Sequence, residues 1–353
     1  MLMRLLPSLP LLLAAVAFAA DAAPKFADPK PQAYHLTARA SEVDPRCQSH
    51  PEVGFVLEKD GKPQDVQHAN VDTRVAPRGQ LVIWLMGYSQ PLADKVNGYG
   101  LHHIQVAYAR EWFGKLNTEP ADDPQHLGNI RLEATTGVDA SKAIDIPAPD
   151  SMKERAFRFV KHLAKTHPQG RWEQFLAKDG LGLDWEKVIV SGASHGATSS
   201  ARFAIAQKVA RVVMFCGPRD QLDNWQGLPS ATPANRFFGY SHVLDGGWAG
   251  DHYPRSWLLL GLNKFGPIVN TDEVKAPFGH SRRLITKFDV KGDANKAHGF
   301  VQVNKNAPKD AKGNYLQEDV WRYLFTSPVD EVGAAVPAEP ETRMNLRASP
   351  KKK

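Results

Sequence analysis

A glycine-flanked serine at the end of a short β-branched run constrains the fold of this chain more than any other feature. Residues 188–190 (VIV) lead into residues 192–196 (GASHG), and small residues follow as far as Ser200. A Gly-x-Ser-x-Gly pattern between a strand and a helix is typical of a nucleophile elbow, in which the serine hydroxyl stands clear of a strained turn. The pattern therefore predicts that Ser194 is a catalytic nucleophile. An ordinary glycine-rich turn is the alternative.

The composition of the chain excludes several functional classes. Its 353 residues are 42% hydrophobic and 23% charged, which is typical of a globular protein with a large core. The net charge is +6, but the basic residues are scattered and do not form a face interleaved with aromatic residues. We therefore expect no nucleic-acid partner.

The N-terminal residues have the pattern of an export signal. A positive start ending at Arg4 is followed by an apolar run over residues 5–20, and small-x-small cleavage sites occur at residues 17–19 and 20–22. This pattern predicts a cleaved signal peptide over residues 1–22 and a secreted or periplasmic protein without a stable membrane span. An uncleaved membrane anchor is the alternative.

Strand and helix patterns alternate along the rest of the chain. We expect a single domain over residues 23–327, with N-terminal strands in residues 34–80 and a core over 81–327, followed by a disordered Pro/Ala/Lys tail over 328–353. Strands are predicted at 81–85, 104–108, 187–191, 211–216, 237–243 and 283–288, and helices at 91–98, 149–167, 197–209 and 315–325. This alternation favours an α/β fold with a mostly parallel central sheet and helices on both faces, whose ligand site lies at the carboxyl ends of the strands.

A serine nucleophile needs an imidazole to take its proton and a carboxylate to orient that imidazole. In a fold with a nucleophile elbow, the order along the chain is serine, acid, histidine. His298 follows the last predicted strand and is the predicted base, and Asp245, just past the predicted strand 237–243, is the predicted acid. The less favoured acids are Asp220 and Asp251, and the less favoured histidines are His242, His252 and His280.

An oxyanion hole requires two backbone N–H donors near the nucleophile. The N–H of His195, the residue after Ser194, is predicted to be one of them. The other is expected from Gly87 or Tyr88, in the loop after the predicted strand 81–85.

The sequence predicts neither a metal nor another cofactor. It has no His-x-x-x-His or Cys-x-x-Cys spacing, and no Gly-x-Gly-x-x-Gly motif follows a strand. The two cysteines, Cys47 and Cys216, could form a disulfide in an exported protein or remain as free thiols, and the sequence favours neither.

The elbow and the order of strands around it resemble the α/β-hydrolase superfamily, over about residues 80–325. Several further segments are similar to a group of exported bacterial α/β hydrolases: residues 128–133 with Thr136 and Gly137, 211–218, 240–245 and 297–301. The resemblance implies an α/β-hydrolase fold and a serine hydrolase with Ser194, Asp245 and His298 as its triad.

The function expected from these residues is hydrolysis of carboxylic esters, either small molecules or polymer-linked, through an acyl-enzyme. A peptidase or thioesterase would use the same triad. The rival class is a non-catalytic exported binding protein on the same scaffold, and a third possibility is a protein that binds cell-wall or other polysaccharides through its tail and loop aromatics.

Overall fold

The computed structural model describes residues 25–116, 123–220 and 225–338. The predicted signal peptide and residues 339–353 of the predicted tail lie outside the described residues. The strands are β1 (Ala33–Arg39), β2 (Glu58–Lys59), β3 (Lys62–Pro63), β4 (Val66–Asp72), β5 (Leu81–Trp84), β6 (His102–Gln105), β7 (Val188–Ala193), β8 (Arg211–Phe215), β9 (Phe237–His242), β10 (Ile268–Asn270) and β11 (Arg283–Thr286).

Nine of these strands form one sheet, in the order β1-β4-β6-β5-β7-β8-β9-β11-β10. Strands β6, β5, β7, β8, β9, β11 and β10 run parallel to one another, whereas β4 is antiparallel to both β1 and β6. All residues of β5, β7, β8 and β9 are buried, as expected for parallel strands covered on both faces. β2 and β3 form a separate hairpin.

The helices are α1 (Ala40–Val43), α2 (Gln90–Gly98), α3 (Trp112–Leu116), α4 (His126–Thr136), α5 (Met152–Thr166), α6 (His195–Ala206), α7 (Gly246–Ala249), α8 (His252–Leu259), α9 (Ala294–Phe300) and α10 (Glu318–Thr326). α6 lies against β7 and β8, and α4 packs against both α5 and α6. Among the described residues, no helix has the length and apolar character needed to span a bilayer.

Helices cover both faces of the sheet, as the register of β7 and β8 shows. Gly192 faces α6, because a side chain there would strike Gly196, and Gly192 pairs with Met214, whose side chain therefore points the same way. The next residue, Phe215, points to the opposite face, where its ring contacts Phe325 of α10 at 6.2 Å between centroids. The predicted fold class is confirmed.

Most predicted elements are present with shifted ends. Helix α5 begins after Ser151, whose hydroxyl caps the helix by accepting the N–H of Glu154 at 3.3 Å. Strand β6 ends at Gln105, whereas the sequence predicted a strand over residues 104–108. Helix α4 was not predicted.

The predicted disordered tail begins too early. Residues 328–338 run along the body of the protein, where the guanidinium of Arg282 donates to the carbonyls of Val329 and Glu331 at 2.8 and 2.9 Å. Further on, the N–H of Val336 donates to the carbonyl of Asn263 at 2.9 Å. Hydrogen bonds to a buried arginine hold this stretch although its composition is that of a disordered segment.

Candidate active site

Ser194 occupies a sharp turn between β7 and α6. Its backbone angles are φ 53° and ψ −117°, which are strained for a residue with a side chain. The flanking glycines allow this turn, because a Cβ on Gly192 would lie 2.3 Å from the carbonyl carbon of Gly196. A Cβ on Gly196 would lie 2.7 Å from the carbonyl oxygen of Leu85. The local sequence therefore folds as a nucleophile elbow, with Ser194 at its tip.

Asp245 and His298 are brought together from two loops at the carboxyl ends of the strands. Asp245 follows β9 and caps α7, where its Oδ1 accepts the N–H of Gly247 at 2.8 Å. His298 lies in α9, after β11, and its Nδ1 is 2.5 Å from Oδ2 of Asp245. The carboxylate is buried, whereas the imidazole side chain is 36% exposed. Two residues that are 53 positions apart in the chain thus form one hydrogen-bonded pair.

The surroundings of Asp245 keep its carboxyl group ionised. Burial alone raises the pKa of Asp245, but the hydrogen bond and charge of His298, together with Gly247 and the hydroxyl of Tyr253, bring it below the usual value. The pKa of the Cys216 thiol is well above its usual value because the group is buried and lies next to the Asp245 carboxylate. An ionised carboxylate only accepts hydrogen bonds, so Nδ1 of His298 carries the proton.

A cavity of about 460 Å³ opens between the elbow and α9. Ser194 and His298 both line it, together with Asp245 at its base. Its other lining includes Arg131, His195, Arg219 and Asp220. The volume is in the range of sites for small molecules.

A mostly parallel sheet, a serine on a strained strand-to-helix turn, and an acid and a histidine that follow it along the chain are now all in place. The chain has the α/β-hydrolase fold. The structure thereby confirms the fold that the elbow and strand order indicated.

Comparisons with solved structures return esterases and other hydrolases at low sequence identity and low TM-score. Esterase B from Lactobacillus rhamnosis, inhibited by a tributyrin phosphonate, is 12% identical, with a TM-score of 0.35 over 80% of this chain and 83% of that chain. An α/β serine hydrolase without a lid from Xanthomonas campestris is 12% identical, with a TM-score of 0.35 over 86% of this chain and 100% of that chain. Esterase 2 from Thermogutta terrifontis, phosphorylated by paraoxon, is 11% identical, with a TM-score of 0.33 over 77% of this chain and 93% of that chain.

No protein-family model and no curated protein sequence matches the chain.

The alternative acids have other surroundings in this α/β-hydrolase fold. Asp220 is engaged by Arg131, whose Nε and Nη2 donate to its two oxygens at 2.7 and 2.6 Å. Asp251 precedes α8 in a left-handed backbone conformation, with φ 61°. Of the candidate acids, Asp245 is the one hydrogen-bonded to His298 in the described structure.

The alternative histidines also occupy other places. His242, at the end of β9, is buried; its Nε2 is 2.8 Å from the carbonyl of Phe288, and its Nδ1 accepts the N–H of Leu244 at 3.0 Å. His280 lies 3.4 Å from the carboxylate of Glu331, and His252 is buried at the start of α8. Among the described residues, the lining of the Ser194 cavity includes none of these three histidines.

The predicted oxyanion donors lie at different positions relative to the Ser194 cavity. His195 is the first residue of α6, so its N–H has no intrahelical acceptor. The loop after β5 passes beside the elbow through Met86, whose Cγ would lie 2.7 Å from a Cβ on Gly196. Gly87 and Tyr88 are not among the described residues that line the Ser194 cavity. The side chain of Tyr88 lines a different cavity, where its ring stacks on His68 at 4.0 Å between centroids.

Sequence reasoning missed Arg131 and Arg219 beside the nucleophile, and it named Asp220 only as an alternative acid. Arg131 of α4 is 1% exposed; its Nη1 donates to Nδ1 of His195 at 2.8 Å and to the hydroxyl of Ser199 at 3.0 Å. Asp220 completes this network by accepting the indole N–H of Trp225 at 2.8 Å. The one available signal was the segment 128–133, which was noted for its resemblance but not for chemistry.

One group of potential metal ligands lies in the described structure. The ligand atoms of Cys216, Asp245 and His298 lie within 4.8 Å of one another. Hydrogen bonds account for this closeness, since Asp245 accepts from His298 and the thiol of Cys216 donates to the carbonyl of His298 at 3.0 Å. Cys47 and Cys216 are both free and buried, and the thiol of Cys47 instead contacts the carbonyls of Ala40 and Pro149.

Proposed function

We propose that this protein is a serine hydrolase that cleaves carboxylic esters through an acyl-enzyme. One observation carries the proposal: the buried Asp245 carboxylate lies 2.5 Å from Nδ1 of His298, in a cavity that Ser194 reaches from a strained elbow. Nδ1 carries the proton, so Nε2 of His298 has the lone pair that a general base needs. A scaffold used only for binding has no need of this pairing.

The reaction follows from these roles. Nε2 of His298 takes the proton of the Ser194 hydroxyl as the oxygen attacks the ester carbonyl, and Asp245 stabilises the imidazolium that forms. The tetrahedral oxyanion accepts the N–H of His195 and, in this proposal, the N–H of Met86, a residue whose side chain lies against the elbow. His298 then gives its proton to the leaving alcohol. Water, deprotonated by the same imidazole, attacks the acyl-enzyme and releases the acid and Ser194.

Steady-state hydrolysis of p-nitrophenyl acetate, butyrate and octanoate tests the proposal. Ser194→Ala and His298→Ala should each lower kcat by several orders of magnitude, and Asp245→Asn by about 10⁴-fold, because an asparagine favours the wrong imidazole tautomer. Asp220→Asn and Asp251→Asn compare the alternative acids directly. Ser230→Ala, an exposed serine outside the cavity, is the matched control and should match the parent protein.

Labelling with a fluorophosphonate separates this enzyme from a binding protein on the same scaffold. A covalent adduct on Ser194 that is absent in Ser194→Ala supports an activated nucleophile. No adduct and no turnover of any ester would favour the binding protein. Faster turnover of matched p-nitroanilide or thioester substrates would instead identify a peptidase or a thioesterase.

We also propose that the protein is exported to the periplasm or the medium. The support is the charged, apolar and small-residue pattern of residues 1–22. N-terminal sequencing of the mature chain should find Ala20 or Ala23 as its first residue, from the two cleavage sites. A chain that still begins at Met1 and sediments with membranes would indicate an uncleaved anchor.

A further inference from the structure

The charged network beside Ser194 sets the protonation state of His195. The guanidinium of Arg131 is held by both oxygens of Asp220, and its Nη1 lies 2.8 Å from Nδ1 of His195. An arginine side chain can only donate hydrogen bonds, so Nδ1 must be the acceptor. His195 is therefore neutral and carries its proton on Nε2. In agreement, burial and then the charge of Arg131 hold the pKa of His195 well below its usual value.

The Nε2–H of His195 is a buried donor without an acceptor among the described residues. The residue is 8% exposed, and its ring contacts those of Trp112 and Phe113, with centroid distances of 5.2 and 4.4 Å. A buried donor left without an acceptor loses the hydrogen bond that it would make to water, and an acceptor on a ligand would restore that bond. Because His195 and Phe113 both line the Ser194 cavity, a bound substrate is the natural source of that acceptor.

Arg219 places a second guanidinium in the same cavity. No carboxylate of the described residues forms a salt bridge with it, and its buried Nε has no acceptor there. Asp220 pairs with Arg131, whereas the Asp245 carboxylate is hydrogen-bonded to the neutral imidazole of His298. Among the described residues of the lining, Arg219 is therefore the guanidinium that no carboxylate holds, and it can pair with an anionic group of a ligand.

We propose that the Ser194 site takes small esters that carry a carboxylate, which pairs with Arg219 and accepts the Nε2–H of His195. The guanidinium matches the planar carboxylate by two parallel hydrogen bonds, and the imidazole N–H adds a third. The cavity volume of about 460 Å³ suits a short monoester of a dicarboxylic acid, or the ester of a short hydroxy acid. This inference rests on the proposed esterase function and names its substrate class.

Two pairs of esters, followed in a pH-stat at neutral pH, test the inference. Monoethyl adipate against ethyl hexanoate places the charge on the acyl side, and 4-acetoxybutyrate against butyl acetate places it on the alcohol side. In at least one pair, the anionic ester should have a kcat/KM about tenfold or more above its neutral partner, which corresponds to about 1.4 kcal/mol. That ratio should fall as the salt concentration rises. Ratios at or below one in both pairs would overturn the inference.

Variants assign the preference to the two residues. Arg219→Gln should lower the anionic-to-neutral ratio by about tenfold or more, mainly through KM, and Arg219→Lys should restore part of it because the charge remains. His195→Gln keeps the backbone donor and should lower the ratio by a smaller factor. Lys142→Gln, which removes an exposed charge outside the cavity, is the matched control and should leave the ratio unchanged. An unchanged ratio in Arg219→Gln, with an intact circular dichroism spectrum, contradicts the assignment.

Binding to Ser194→Ala separates this inference from the proposed function. Isothermal titration with monoethyl adipate needs no turnover, and the binding should weaken about tenfold or more when Arg219→Gln is added. Binding without turnover in the parent protein would leave the carboxylate site standing and remove the esterase. Turnover without a preference for the anionic esters would remove the carboxylate site and leave the esterase standing. The absence of both binding and turnover would contradict both proposals.

Discussion

Two buried ion pairs, each between an arginine and an aspartate, have different roles in this molecule. Arg131 and Asp220 are 1% and 4% exposed, and Arg155 and Asp150 are 2% and 0% exposed. The first pair is bidentate, with distances of 2.7 and 2.6 Å, whereas the second is joined by one nitrogen at 2.5 Å. Burial and charge are thus almost the same in the two places.

The two pairs differ in the further residues that each pair contacts. Asp150 also accepts the N–H of Gln48 at 3.0 Å and lies 2.8 Å from Nε2 of His50, so the second pair ties an N-terminal segment to α5. Arg131 instead donates to the imidazole of His195, which lines the Ser194 cavity. An arginine–aspartate pair whose neighbours are backbone and loop groups connects two segments of the chain. The same type of pair orients a side chain where its neighbour lines a ligand site.

Removal of one carboxylate should produce the largest loss of stability at either pair. Asp220→Asn and Asp150→Asn should each lower the free energy of unfolding by about 3–5 kcal/mol, since each leaves a buried guanidinium without its counter-charge. Urea unfolding followed by circular dichroism measures this. A loss below about 1 kcal/mol at either site would show that water reaches the freed arginine.

Activity should distinguish the two arginines. Arg131→Gln removes the cation that holds Nδ1 of His195 as an acceptor, so the anionic-to-neutral ratio of kcat/KM should fall about tenfold. Arg155→Gln should destabilise the protein but leave kcat/KM per folded molecule within about twofold of the parent. Both variants need active-site titration with a fluorophosphonate to correct for unfolded protein. Equal losses of kcat/KM in Arg131→Gln and Arg155→Gln would contradict the different roles of the two pairs.

Protonation of buried histidines should change the free energy of unfolding by less than the removal of a buried carboxylate does. His195 has a native pKa well below its unfolded value of 6.5, so the unfolded state binds more protons as the pH falls below that value. The stability is full above pH 6.5 and is lost as the pH falls towards the native pKa. His102 and His103, with pKa values lowered by burial to about 4 and about 3, act in the same direction.

His195→Gln should therefore flatten the loss of stability between pH 6.5 and 5 without abolishing it, by at most about 1.4 kcal/mol per pH unit. Urea midpoints at four or five pH values measure the slope. Lys142→Gln should follow the parent curve. A slope unchanged by His195→Gln would mean that His195 binds protons equally in the folded and unfolded states, which contradicts a lowered native pKa.

The smallest effect is expected from a pair with the same fork geometry on the surface. Nε and Nη2 of Arg74 donate to the two oxygens of Asp72 at 2.9 and 2.7 Å, but the arginine side chain is 60% exposed. Arg74→Gln should leave the urea midpoint unchanged within error, because water screens an exposed pair. A loss comparable to that of Asp220→Asn would show that burial is not what separates these pairs.

Local patterns predicted more of the core than of the polar residues around the site. The run before Ser194 and the strand 211–216 were predictable because fully buried parallel strands are continuous apolar runs. Helix α4 was missed because its buried face carries Arg131 and Glu133 as well as apolar residues. The carboxylate of Glu133 accepts the N–H groups of Ala140, Ser141 and Ile146, at 3.0, 2.8 and 3.0 Å. A helix that buries charge has no apolar stripe to recognise.

The sequence by itself determined the elbow, the alternation of strands and helices and the fold class, because each depends on neighbours in the chain. Glycines two residues either side of Ser194 allow its turn whatever the rest of the protein does. Only the tertiary structure decided that Asp245 lies beside His298 while Asp220 binds Arg131, and that Tyr88 turns to a different cavity. These contacts join residues tens of positions apart, and loop packing sets their distances, which no local pattern of residues encodes.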